Sequence, residues 1–192
     1  MTGGDIVIAG VGGQGILLVG RAIAEAAMAE GFDVKQSEAH GMARRGGSVV
    51  SHVRFGGKVF SPTIEPGACD LLIGFEPTEA LRNIHFLKEG GKLVCNTRKI
   101  SAPAVSGSIV VKQPPDIETA LNARPGTLLI DGYCMAAKAG SPRAVNLVLL
   151  GAAARFLPIP SSRLEAIIKK SFSGKTLEIN LIAFRMGRGL RK

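Results

Sequence analysis

At 192 residues, with 46% hydrophobic side chains and 25 glycines, residues 1–192 read as a single ordered domain with a substantial core; a tail-like or low-complexity chain would be far less hydrophobic. The net charge of +9 is scattered along the chain, and one tyrosine with no tryptophan offers little for base stacking, so an acidic protein partner is expected and no nucleic acid. The longest apolar run, 145–154, contains Asn146 and falls well short of the ~20 residues of a membrane span, and no basic segment precedes the first apolar run, so the expectation is no membrane and a cytoplasmic chain.

The chain opens on residues 6–9, an apolar run of the kind found in buried parallel strands, and passes directly into Gly10, Gly12 and Gly15, spaced GxGxxG, with Gly13 and Gln14 between them. In such a loop one glycine permits the turn, the next lets backbone approach a ligand, and the third lets helix pack on strand. Residues 14–30 then take helical spacing, with Ile16, Val19, Ile23 and Ala27 toward the sheet. The free N–H groups at the start of that helix favour an anion, which makes residues 10–15 candidates for cofactor binding.

Gly31 ends the helix and residues 33–36 begin a second strand, a βαβ opening that implies a right-handed crossover. Glu38, just beyond, stands where a dinucleotide-binding protein keeps an acidic residue for ribose. An ordinary unit of this kind would continue into a helix. Here the chain instead packs Glu38, His40, Gly41, Arg44, Arg45, Gly46 and Gly47 into one glycine-rich stretch, which reads as a device for contacting a substrate or a subunit. His40 has no nucleophile or acid at fixed spacing and is a contact residue, not a general base. Residues 49–55 alternate with period two, and Gly56-Gly57 signals a hairpin into 58–61.

Strand and helix alternate again beyond Pro62: strand 70–74, helix 77–88 closed by Gly90-Gly91, strand 92–95, a proline-containing loop at 101–107, strand 109–111, helix 116–123 and strand 128–131. Helices follow at 133–139, 144–156, 161–171 and 176–187. The fold class is therefore α/β, a Rossmann-like, doubly wound, mostly parallel sheet with an inserted antiparallel hairpin and a helical C-terminal region. Cys69, Cys95 and Cys134 lie far apart without a CxxC pair, and no histidine has a metal-spaced neighbour, so the residues suggest no metal site and no catalytic residue in this chain.

Four segments together carry a resemblance: GVGGQG at 10–15, SEAHGMARRGGSVVSHVRFG at 37–56, GFEPTEALR at 74–82 and RAVNLVLLGAAA at 143–154. They resemble the gamma-type domain of the 2-oxoacid:ferredoxin oxidoreductases, and within that family the small (beta) subunits that serve indolepyruvate. The likeness implies oxidative decarboxylation of an aryl 2-oxoacid to its acyl-CoA with reduction of ferredoxin. It also implies thiamine diphosphate, magnesium and iron-sulfur clusters on a large partner subunit, coenzyme A as co-substrate, and no cofactor held stably by this chain, which would be inactive alone. The glycine loop and Glu38 leave open another reading, a stand-alone nicotinamide-dependent oxidoreductase or nucleotide-binding module.

Overall fold

The computed structural model describes residues 3–41, 46–99 and 116–190. Its elements in chain order are β1 (Gly4–Val11), α1 (Ile16–Ala29), β2 (Asp33–His40), β3 (Ser48–Gly56), β4 (Cys69–Gly74), α2 (Pro77–Arg82), β5 (Leu87–Asn96), α3 (Ile117–Asn122), β6 (Thr127–Ile130), α4 (Gly132–Lys138), α5 (Val145–Ala153), α6 (Ser161–Ser171) and α7 (Gly174–Arg188). The strands form one sheet in the order β2-β3-β1-β4-β5-β6. The pairs β1/β4, β4/β5 and β5/β6 are parallel, whereas β3 runs antiparallel to both of its neighbours.

Because side chains alternate across a strand, β1 feeds two cores. Ile6 and Ile8 enter the larger one, with α1, α5 and α7; Val7 and Ala9 enter the smaller, with α2 and α3. The sheet is thus covered on both faces, as the doubly wound reading requires. At the centre of the larger core, α5 is buried from Asn146 to Ala153, which is what an apolar sequence on every side of a helix demands. It meets α7 backbone to backbone. A Cβ on Gly151 would stand 2.0 Å from the Phe184 carbonyl oxygen, and one on Gly187 would stand 2.0 Å from that of Val148.

Three sequence expectations need correction. The hairpin is not made through Gly56-Gly57: residues 58–61 form no strand, and β3 instead pairs with β2 along its whole length, from Asp33 opposite Gly56 to His40 opposite Val49. β2 is longer than 33–36 because an edge strand, buried on neither face, shows no clean apolar alternation to mark its extent. The segment after Gly57 is held by side chains, with the Val59 N–H donating to Asp33 Oδ2 at 2.8 Å and Arg54 donating to Thr63 O at 3.0 Å while it forks onto Asp5 at 2.9 and 3.1 Å.

Second, the helix expected at 77–88 stops at Arg82. Asn83 closes it, donating from Nδ2 to Glu79 O at 2.9 Å, and after a short 3-10 turn Leu87 already belongs to β5, which runs straight through Gly90-Gly91. Third, the helix expected at 144–156 ends at Ala153 and tightens into a 3-10 turn. The loop at 101–107 and strand at 109–111 lie outside the described residues. Among those described, no helix is long and apolar enough to cross a membrane.

Two measurements test this packing. Gly151→Ala gains roughly 1 kcal/mol of helix propensity but drives a methyl into backbone, so a net loss of about 3 kcal/mol and a fall of ~6–12 °C in Tm are expected. Gly57→Ala, in open space, should stay within ~0.5 kcal/mol of the parent. His52 supplies the second. It is buried, its Nδ1 accepts from the Ile64 N–H at 3.2 Å, and burial first, then the Arg54 charge, holds its imidazole below its usual pKa. The unfolded chain takes up this proton at the higher pH, so stability is complete above about 6.5 and is lost as pH falls from there through the lower folded value. Melting curves across that window should show the slope, and His52→Asn should flatten it.

Candidate functional site

The C-terminal end of β1 is tied down by one side chain. The Val11 N–H donates to Gln14 Oε1 at 2.6 Å, and Gln14 Nε2 donates to the Phe75 carbonyl at 3.1 Å, so a single carboxamide spans the gap between β1 and β4. Asn96 continues the seam, with Nδ2 3.3 Å from the same carbonyl and Oδ1 accepting from the Gly132 N–H at 3.0 Å. The gap between β1 and β4 is the point from which the chain winds outward in both directions, where open α/β sheets receive ligands. Here protein amides fill it.

Gly10 is crowded by this arrangement, since a Cβ there would stand 2.6 Å from Gln14 Oε1 and 2.7 Å from Phe75 Cβ. Gly15 is the N-cap of α1 at φ +85°, and a Cβ on it would meet Asn146 Nδ2 at 2.6 Å. Gly12 differs from both. It is exposed, its N–H donates to Gly47 O at 2.9 Å, and a Cβ would meet nothing nearer than 3.7 Å, so no contact among the described residues demands glycine at 12.

α1 has neither a side-chain cap nor an acidic residue in its first turn. Its leading N–H groups border a cleft of about 600 Å3 lined by Gly12, Gly13, Gly15, the first turn of α1, His40 and Val49. The fold therefore brings His40 to the glycine loop, as part of one wall. Gly47 accepts from the Gly12 N–H, and Gly41, next to His40, donates its N–H to Ser48 O at 2.7 Å. Gly46 lies beside them in the chain, and Arg44 and Arg45 lie outside the described residues. Glu38, two residues before His40 on β2, lines the adjoining groove of about 740 Å3 with Arg21, Glu25 and Lys170, and the two spaces share Leu17 and Leu18.

Residues whose roles have no local signal in sequence gain them from the fold. Glu79, 4% exposed, accepts from Ser48 Oγ at 2.6 Å and from Arg82 at 2.5 Å, while Glu76 caps α2 by accepting from the Glu79 N–H at 2.9 Å. The 37–56 and 74–82 segments are thus clasped where β3 begins. Only the contact itself reveals this. Cys69 and Cys95 are buried, burial pushing the Cys69 thiol up to about 12 and Cys95 higher still, and Cys134 stands apart on α4. Thiols so placed, two buried in the sheet and one on a separate helix, do not gather as an iron-sulfur cluster requires, and among the described residues no three potential ligands gather for a metal.

Comparison with known proteins places these features in company. The family model described as pyruvate ferredoxin/flavodoxin oxidoreductase matches residues 5–190. The chain is 38% identical to indolepyruvate oxidoreductase subunit IorB of Archaeoglobus fulgidus over 189 residues, covering 95% of this chain and 92% of that one. Among solved structures, the gamma subunit of a keto/oxoacid ferredoxin oxidoreductase from Geobacter sulfurreducens superposes with a TM-score of 0.70 at 27% identity, over 95% of each chain. The 2-oxoglutarate:ferredoxin oxidoreductase of Magnetococcus marinus, solved with 2-oxoglutarate, coenzyme A and succinyl-CoA bound, shares the fold with a TM-score of 0.74 at 23% identity, over 98% of this chain and 31% of that one.

The loop geometry separates its glycines by experiment. Gly15→Ala must hold a side chain at positive φ against Asn146 and should cost roughly 2 kcal/mol, whereas Gly12→Ala should change stability by less than about 0.5. Denaturant unfolding of the two variants checks the order.

Proposed function

The chain belongs to the pyruvate ferredoxin/flavodoxin oxidoreductase family, and from that membership we propose that it is the subunit without redox centres of an enzyme that oxidises indolepyruvate or another aryl pyruvate. Subunits of 2-oxoacid:ferredoxin oxidoreductases are its relatives over nearly full length, and the 38% identity to IorB is the observation that carries the aryl specificity. The reaction joins the acyl carbon of the 2-oxoacid to the sulfur of coenzyme A, releases the carboxyl group as carbon dioxide and passes two electrons to ferredoxin. Thiamine diphosphate with magnesium, when bound, supplies the carbanion stabilisation, and iron-sulfur clusters the electron relay, both on the large partner subunit.

This chain's part is to bind and to orient. Its glycine loop, Gly10, Gly12, Gly13, Gln14 and Gly15, ends in the uncapped turn of α1, and a turn of free N–H groups beside an open cleft favours a phosphate or carboxylate. The Glu38–Gly47 stretch, with His40, Gly41, Arg44, Arg45, Gly46 and Gly47, forms the contact surface for the large subunit or for coenzyme A. The Ser48–Glu79 hydrogen bond supports this reading by pinning one end of that stretch. Ordering two adjacent arginines among glycines is entropically costly, and a partner that desolvates them compensates.

Reconstitution tests the assignment. The purified chain should carry no iron and reduce no ferredoxin until the large subunit is added. The double variant Arg44→Ala, Arg45→Ala should keep the parent's stability to within about 0.5 kcal/mol yet weaken subunit affinity or raise KM for coenzyme A by roughly tenfold or more. Nicotinamide-dependent turnover by the isolated chain would overturn the reading, and unchanged affinity and KM would overturn the role of the loop.

A further inference from the structure

We propose that residues 57–68 are a strap that opens locally when His52 takes up a proton, so that mild acid uncovers the smaller core beneath it while the sheet stays folded. The strap crosses from β3 to β4 without helix or strand, and Ile64 is its one buried residue, enclosed in the smaller core. The same residue bonds the strap to the sheet, its N–H donating to His52 Nδ1 at 3.2 Å. A backbone N–H can only donate, so Nδ1 is bare and the neutral ring carries its proton on Nε2. The middle of the strap is thus held by one residue, through its side chain in the core and its amide on His52.

Protonation reverses that contact. The imidazolium has an N–H on both nitrogens, and the one on Nδ1 would face the Ile64 N–H in a buried place, two donors without an acceptor. Nothing around the ring compensates. Phe86 meets it edge to face, with centroids 5.0 Å apart, and Arg54, two residues along β3, adds a like charge. Asp5 on β1 is committed to Arg54 and Asp33 on β2 to Lys35, while Glu65 in the strap and His85 beside Phe86 are exposed. The other ties survive where His52 titrates. Arg54 donates to Thr63 O at 3.0 Å, the Gly67 N–H donates to His85 O at 3.0 Å, and the Val59 N–H holds Asp33 below the usual carboxylate range. The opening is therefore confined to the stretch around Ile64 and costs less than unfolding the sheet. An opened strap gives His52 its ordinary affinity for the proton, so the ratio of open to closed chains rises about tenfold per pH unit as pH falls below about 6.5, until the closed form takes the proton too.

The test is amide hydrogen exchange of the full chain between about pH 8 and about pH 5, with each rate taken relative to the unfolded chain at the same pH. Protection of the Ile64 amide should be constant above about 6.5 and fall about tenfold per pH unit below it. It should also be at least about tenfold weaker than that of Val7 and Ile8 in β1 and, unlike theirs, insensitive to low denaturant, the mark of an opening that exposes little surface. In His52→Asn the side-chain oxygen can still accept from the Ile64 N–H but does not titrate, so the pH response of Ile64 should vanish; in His85→Gln it should persist. Should His52→Asn fail to fold, the imidazole 15N signals of the parent decide, since the Nε2–H tautomer must give way to the imidazolium over the same pH range as Ile64 loses protection. A pH-independent Ile64 amide, one that exchanges only together with β1, or a response abolished by His85→Gln would overturn the proposal.

Discussion

Between β1 and β2, which run in the same direction, lies β3, running the opposite way and hydrogen-bonded to both. Much of the candidate site follows from that placement. A strand on each side satisfies the backbone of β3, so its residues are free to be chosen for their side chains. Ser48 and Val49 at its start stand beside the glycine loop, while Ser51 meets the Gln36 carboxamide at 3.2 Å beneath Gly20 of α1. The absence of a side chain at 20 lets α1 settle close to this polar pair. The same strand holds β2 at the sheet edge.

The top of the sheet shows a second economy, in which carboxamides and carboxylates do the work a ligand does elsewhere. Gln14 and Asn96 join the ends of β1, β4, β5 and α4 in one row of hydrogen bonds. A charged ligand is not needed to hold these ends together. Glu79 is a buried carboxylate, tolerable because a hydroxyl and a guanidinium both donate to it. What remains open is the flank, where α1 begins without a cap and His40 faces it across the cleft. The fold keeps the loop of a dinucleotide-binding protein and moves the available surface to one side.

Much of this architecture is legible in the residues. The strand 6–9, the glycine spacing, the period of α1 and the helical character of the region after β6 follow directly from hydrophobic periodicity and turn chemistry, and four segments suffice for the family. Elements without periodicity are the harder ones. β2 is a polar edge strand, DVKQSEAH, and nothing in it announces a partner at 48–56; Gly56-Gly57 offers a local turn signal that the longer β2–β3 ladder overrides. His40 is grouped with the glycine loop in space, and Glu38, two residues earlier on the same strand, lines the adjoining groove. Glu79, Ser48 and Asn146 acquire their roles only by contact across 31 residues or more, and pairing at such distances leaves no mark on local composition.

The helix α5 has a history within each molecule as well as a place in it. It is apolar all round, and α7, the helix that covers it at Gly151 and Gly187, follows it in the chain. During synthesis α5 therefore leaves the ribosome before its cover has been made. Until residues 174–188 emerge, the nascent chain leaves one of its greasiest surfaces uncovered, the kind of intermediate on which chaperones act and from which aggregates start. A contact so close that only glycine fits it thus sets the interval during which a growing chain needs protection.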